Sequence, residues 1–129
     1  MKLSLDLNDG GLLRIHGYDA DGIHIGGVHH RATLLIWRHG IRRDWASDNP
    51  TTLSAALLHE LLATDMETPE VILIGTGRQQ RFPHPQTLAP AAQQGIGVEI
   101  MDTAAACRTY NILVAEGRRA AALLMSFSA

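Results

Sequence analysis

The sequence predicts a mixed α/β fold, and three features carry that prediction. Val71-Ile72-Leu73-Ile74 is an unbroken aliphatic run closed by Gly75-Thr76-Gly77, the pattern of a strand buried on both faces. A second apolar run, Val98 to Met101, follows after a helix-compatible stretch, and a right-handed crossover between the two sets these strands parallel. Upstream, apolar and polar residues alternate on both sides of a cluster of turn formers, which marks an antiparallel unit.

Taken in order, Leu12 to His16 and Gly22 to Ile25 flank Tyr18-Asp19-Ala20-Asp21-Gly22 and read as a hairpin. Ala32 to Trp37 is a third strand, and Gly40 separates it from the alternating Ile41 to Trp45, a fourth. Asp48-Asn49-Pro50-Thr51-Thr52 is punctuation, with Thr51 or Thr52 placed to cap a helix through Leu53, Leu57 and Leu61 that ends near Thr64. The prolines at 83 and 85 delay a short helix to Gln86–Gln94, which Gly95 and Gly97 stop. Asp102 or Thr103 caps the last helix, which runs through Ala115 to a stop at Gly117. Arg118 to Phe127 returns as an alanine-rich strand.

With 129 residues, 46% hydrophobic and 19% charged, the chain has the size and composition of one folded domain, residues 1–129. A net charge of -2 offers no general attraction to a phosphate backbone or an anionic bilayer, so nucleic acid is not an expected partner. No segment approaches the roughly 18 apolar residues that announce a membrane-spanning helix, and no membrane insertion is expected. One cysteine, Cys107, excludes an internal disulfide and fits a reducing compartment, the cytoplasm. The oligomeric state is not legible.

The candidate site gathers around the Gly75-Thr76-Gly77 turn, whose backbone N–H groups form a concavity for an anion if they point outward, with Arg78 following at once. The alternative is a sharp structural turn. A third glycine and an immediate helix are missing, so the turn is not a dinucleotide fingerprint, and it lacks the Lys-Ser/Thr of a phosphate-binding P-loop. Glu99 lies within the second strand and Asp102 at the following helix start. Arg108 and Asn111 share a face of that helix with Ala104 and Ala115, leaving Tyr110, Leu113 and Val114 to the core. Gly75, Thr76, Gly77, Arg78, Glu99, Asp102, Arg108 and Asn111 are thus expected to line one pocket for a small anionic ligand. The competing reading makes Glu99 and Arg108 an ion pair tying helix to sheet.

No cofactor or metal site is expected. His16 and His24 face each other across the hairpin and His29-His30 follow, but no two histidines have helical zinc spacing, and His59-Glu60 is not completed by a second histidine. Cys107, within an alanine-rich helix, reads as a small buried side chain rather than a nucleophile. Arg42-Arg43-Asp44-Trp45 combines charge with an aromatic ring, as interfaces do; the alternative is an exposed strand with one ring packed inward. No catalytic constellation is complete.

Three stretches, Pro69 to Gly77, Gly95 to Leu113 and Ala115 to Leu123, resemble the Mth-type domain of unknown function, a family that includes the mitochondrial third assembly factor of respiratory complex I. Met101-Asp102-Thr103, Ala106, and Arg108-Thr109-Tyr110-Asn111 are the most specific part. The resemblance implies a three-layer β/α/β-type fold: a central mixed sheet with helices on one side, the additional N-terminal antiparallel β unit on the other, and a last strand antiparallel to its neighbours. It also implies no established catalytic residues or cofactor, and protein partners met during membrane-complex assembly. Three functions compete: a non-catalytic binding or assembly module, which leads; an anion-binding protein or enzyme with Arg78 and Arg108 as clamps and Glu99 or Asp102 as base; and, least favoured, a histidine metal site.

Overall fold

A computed structural model describes residues 11–43, 53–63 and 66–127. Its core is a five-stranded sheet of order β5-β4-β8-β6-β7. These strands are β4 (Leu34–Trp37), β5 (Gly40–Arg42), β6 (Val71–Gly75), β7 (Gly97–Met101) and β8 (Ala120–Leu124). Before them, β1 (Gly17–Tyr18), β2 (Ile23–Ile25) and β3 (Val28–His30) form a separate antiparallel sheet. The helices are α1 (Ala55–Leu62), α2 (Ala89–Gln93), which continues a 3-10 turn at Pro85–Leu88, and α3 (Thr103–Ala115).

The sheet is mixed because β6 runs parallel to both β7 and β8 while β4 is antiparallel to β8 and β5. The expectation that the last strand opposes its neighbours therefore holds only on the β4 side. The helices do not share one side either. Since β7 and β8 flank β6, the connections β6 to β7 and β7 to β8 cross the sheet in opposite directions. Two right-handed crossovers of opposite direction place their helices on opposite faces.

Strand alternation shows the result. Ile72 and Ile74 pack with Leu58 and Leu61 of α1 and Ala91 of α2, whereas Val71 and Leu73 pack with Ala106, Cys107, Tyr110 and Val114 of α3. The small sheet lies on the α3 side, where Ile15, Ile23 and Ile25 join that second core.

Local chemistry explains most boundaries. Ser54, not Thr51 or Thr52, caps α1, its Oγ accepting the Leu57 N–H at 3.1 Å. Leu53 and Leu58, both buried on either side of this cap, make a hydrophobic staple. The helix closes at Leu62, and the expected limit at Thr64 is outside the described residues. Asp102 caps α3 by accepting the Ala105 N–H at 2.8 Å. At its far end, Gly117 N–H reaches the Val114 carbonyl and Arg118 N–H that of Leu113, a Schellman closure.

The N-terminal unit differs most from expectation. Strand β1 comprises only Gly17 and Tyr18, and β3, unassigned in the sequence reading, completes the sheet. Gly26 and Gly27 have φ of +58° and +82°, so β2 and β3 are joined by the primed turn that two consecutive positive φ values require. Of the expected strand through Trp45, β5 supplies Gly40–Arg42, and Asp44 and Trp45 fall outside the described residues.

Candidate functional site

The connections leaving β6 and β7 go to opposite faces, so a topological switch point lies between their C-terminal ends, at Gly75 and Met101. In parallel sheets that crevice is the usual place for a ligand. Here the protein fills it itself.

Thr103, the first residue of α3, is fully buried; its Oγ1 accepts the Gly77 N–H at 2.8 Å and donates to the Met125 carbonyl at 2.8 Å. Its own N–H returns to the Gly77 carbonyl at 2.8 Å. Thr76 is equally occupied: its N–H goes to the Met101 carbonyl at 2.9 Å, and its hydroxyl joins Gln79 O and the Arg81 N–H at 2.7 and 3.0 Å. A Cβ at Gly75 would stand 2.8 Å from Thr103 Cα, so glycine is what lets helix and strand touch. The anion cradle expected at Gly75, Thr76 and Gly77 is thus a buried latch whose amides are engaged internally.

The remaining expected site residues do not form one pocket. Asn111 clasps the backbone of Ile15, donating from Nδ2 to its carbonyl at 2.6 Å and accepting its N–H on Oδ1 at 2.7 Å. Tyr110 extends the clasp with an O–H to Leu13 O hydrogen bond of 2.9 Å. These two side chains hold the segment that the alternation pattern assigns to a strand. Asp102 is engaged in its cap. Glu99 is exposed on the edge strand β7, because α3 lies over β6 and β8 instead. The Glu99–Arg108 ion pair is not formed; Arg108 instead hydrogen-bonds the Tyr18 hydroxyl and lies 6.0 Å from the centre of its ring.

Arg78 and Arg108 alone converge, on the stacked rings of Tyr18 and Phe127, whose centroids are 6.1 Å apart. Arg78 donates to Phe127 O at 2.7 Å and Ala20 O at 3.3 Å. A cavity of about 330 Å³ is lined by Tyr18, Asp19, Ala20, Arg78 and Phe127.

Two features escaped the sequence reading. Asp19 accepts from His24 Nε2 at 2.9 Å and contacts His29 Nε2 at 3.3 Å, with the two rings stacked at 4.5 Å. The His24 hydrogen bond, then the Asp21 amide, holds this carboxyl far below the usual carboxylate range. The available signal was Gly26-Gly27: a two-residue turn there forces His24 opposite His29. The second feature is Phe82, 71% exposed in the loop after β6. That loop is pinned by the Arg81 N–H on Thr76 and by Gln80 Nε2 donating to Ile100 O at 2.9 Å. Cys107 is buried as expected, and burial pushes its thiol up to about 12.

Five-stranded mixed sheet, accessory antiparallel sheet and internally clasped α3 together define an α/β domain of the Mth938-like class. A Bordetella pertussis protein described as a Mth938-like domain superposes with a TM-score of 0.76 at 31% identity, covering 89% of this chain and 86% of that one. A Bordetella parapertussis protein in crystal form gives 0.82 at 36% identity, with coverage of 89% and 96%.

The chain belongs to the family described as protein of unknown function (DUF498/DUF598), which matches residues 15–125. Among curated relatives, the mouse NADH dehydrogenase [ubiquinone] 1 alpha subcomplex assembly factor 3 is 45% identical over 56 residues, 43% of this chain. The match spans only 30% of that relative's length. Among the described residues, no helix is long and apolar enough to cross a membrane.

Proposed function

We propose that this chain is a non-catalytic protein-binding domain that acts in the assembly of a multisubunit complex. The observation that carries the reading is Phe82: a large ring held in water on a loop pinned to Thr76 and Ile100. An aromatic anchor presented on an ordered loop binds at low entropic cost. Support comes also from α3, whose Thr103, Tyr110 and Asn111 are engaged in internal hydrogen bonds. The relative named as an assembly factor makes a membrane complex the first partner to test, and the lone cysteine is compatible with a cytoplasmic setting.

The test places a photo-crosslinking phenylalanine analogue at position 82 in living cells, with the same analogue at Glu99 as control. One discrete heavier species, crosslinked from position 82 and absent from position 99, is expected. Equal labelling from both positions, or none from either, refutes the reading.

A second reading keeps the small anionic ligand but moves it to the cavity beside Arg78, Tyr18 and Phe127. It requires inorganic phosphate or a small dicarboxylate to raise the melting temperature of the wild type and not of Arg78→Gln. No shift in the wild type removes it.

A further inference from the structure

Strands β2 and β3 place His24 directly opposite His29, and the β1–β2 turn brings Asp19 over both rings. The core-facing positions of the same hairpin are taken by Ile23 and Ile25, so the histidines stand on its outer face. We propose that Asp19, His24 and His29 form a binding site for a divalent transition-metal ion of the zinc class.

The distances fit this assignment. Zinc bonds of about 2.0–2.1 Å in a tetrahedral set put neighbouring donor atoms about 3.3 Å apart. Asp19 Oδ2 is 2.9 Å from His24 Nε2, Asp19 Oδ1 is 3.3 Å from His29 Nε2, and one donor atom from each residue lies within 4.8 Å of the others. Two imidazoles and a carboxylate are a donor set that suits zinc, and three protein ligands leave a fourth position to water.

The surroundings hold the carboxylate in place. Asp19 Oδ1 accepts the N–H groups of Asp21 and Gly22 at 2.8 and 2.9 Å, which fixes the group from behind as outer hydrogen bonds do in metal sites. Gly22 supplies the space: a Cβ there would stand 2.7 Å from His29 Nε2 and 2.4 Å from the His30 carbonyl. The rings are stacked 21° apart in plane, and both present Nε2 to the Asp19 carboxylate. Both side chains have room to turn toward a shared centre, at 44% and 28% exposure. A purely structural role would have the two imidazoles donate N–H bonds to Asp19, and that role predicts no metal affinity.

The decisive experiment titrates Zn²⁺ into the tag-free, metal-stripped full chain by calorimetry, with bound metal counted by elemental analysis. About one equivalent is expected, with affinity at least about 10-fold weaker in His24→Ala and in His29→Ala. His59→Ala, on α1 and away from the cluster, should bind as the wild type does. Long-range ¹H–¹⁵N spectra of the wild type should show Zn²⁺ moving the Nε2 signals of His24 and His29 together, which decides the matter even if a variant misfolds. Less than about a tenth of an equivalent bound, full affinity in the His24→Ala/His29→Ala double variant, or metal-shifted signals only from other histidines overturns the proposal.

Discussion

Replacing Thr103 by valine keeps the volume of the side chain and deletes its hydroxyl. Two buried groups then lose their partners: the Gly77 N–H, bonded at 2.8 Å, and the Met125 carbonyl, bonded at 2.8 Å. An unsatisfied buried donor or acceptor costs about 1–3 kcal/mol, so Thr103→Val should lose about 2–6 kcal/mol, a large share of the roughly 5–15 kcal/mol that holds a domain folded. The cost is not offset by water, since Thr103 and Thr76 are both fully buried. Urea unfolding followed by circular dichroism measures it; with a slope on the order of 2 kcal/mol/M, the midpoint should fall by at least about 1 M. Thr103→Ser retains the hydroxyl and should lose less than half as much. If Thr103→Val unfolds within about 0.3 M of the wild type at unchanged slope, the latch is not a stabilising element and the turn amides are free for another use.

Asn111→Ala removes both bonds to the Ile15 backbone and should cost about 1–3 kcal/mol, with faster proteolysis between residues 11 and 18; unchanged proteolysis would count against the clasp. Cys107, buried with its thiol pushed up to about 12, should resist a thiol reagent at pH 8 in the native protein and react stoichiometrically in denaturant. Glu67 is held below its ordinary 4.5, first by its hydrogen bond from Arg38. A lowered carboxylate stabilises above its unfolded value and loses that contribution as pH falls through the native one. The stability gap between wild type and Glu67→Gln should therefore be level above about pH 5 and close in acid; a gap that widens in acid refutes the pairing.

What the sequence disclosed follows from how local each signal is. Strands β6 and β7, their parallel pairing and the capped α3 were legible because aliphatic runs, glycine stops and an Asp-Thr cap act within a few residues. The opposite placement of α2 and α3 was deducible only once β8 was known to lie across β6 from β7. The site was misread at one point of geometry. The Gly75-Thr76-Gly77 turn does lie beside the start of α3, but so closely that Thr103 occupies the concavity. Arg108 and Asn111 looked like pocket residues because their partners, Tyr18 and Ile15, lie 90 and 96 positions away. A contact at that separation leaves no periodic trace.

Strand β8 sits at the middle of the sheet although it follows every other described strand in the chain. Until it arrives, the β4–β5 hairpin and the β6–β7 pair are two half-sheets with facing, unpaired edges of almost wholly aliphatic sequence. Such edges invite pairing with other chains, and closing them depends on long-range contacts that form slowly. The sheet therefore closes last along its own middle, when Ala120 to Leu124 pair with β4 on one side and β6 on the other.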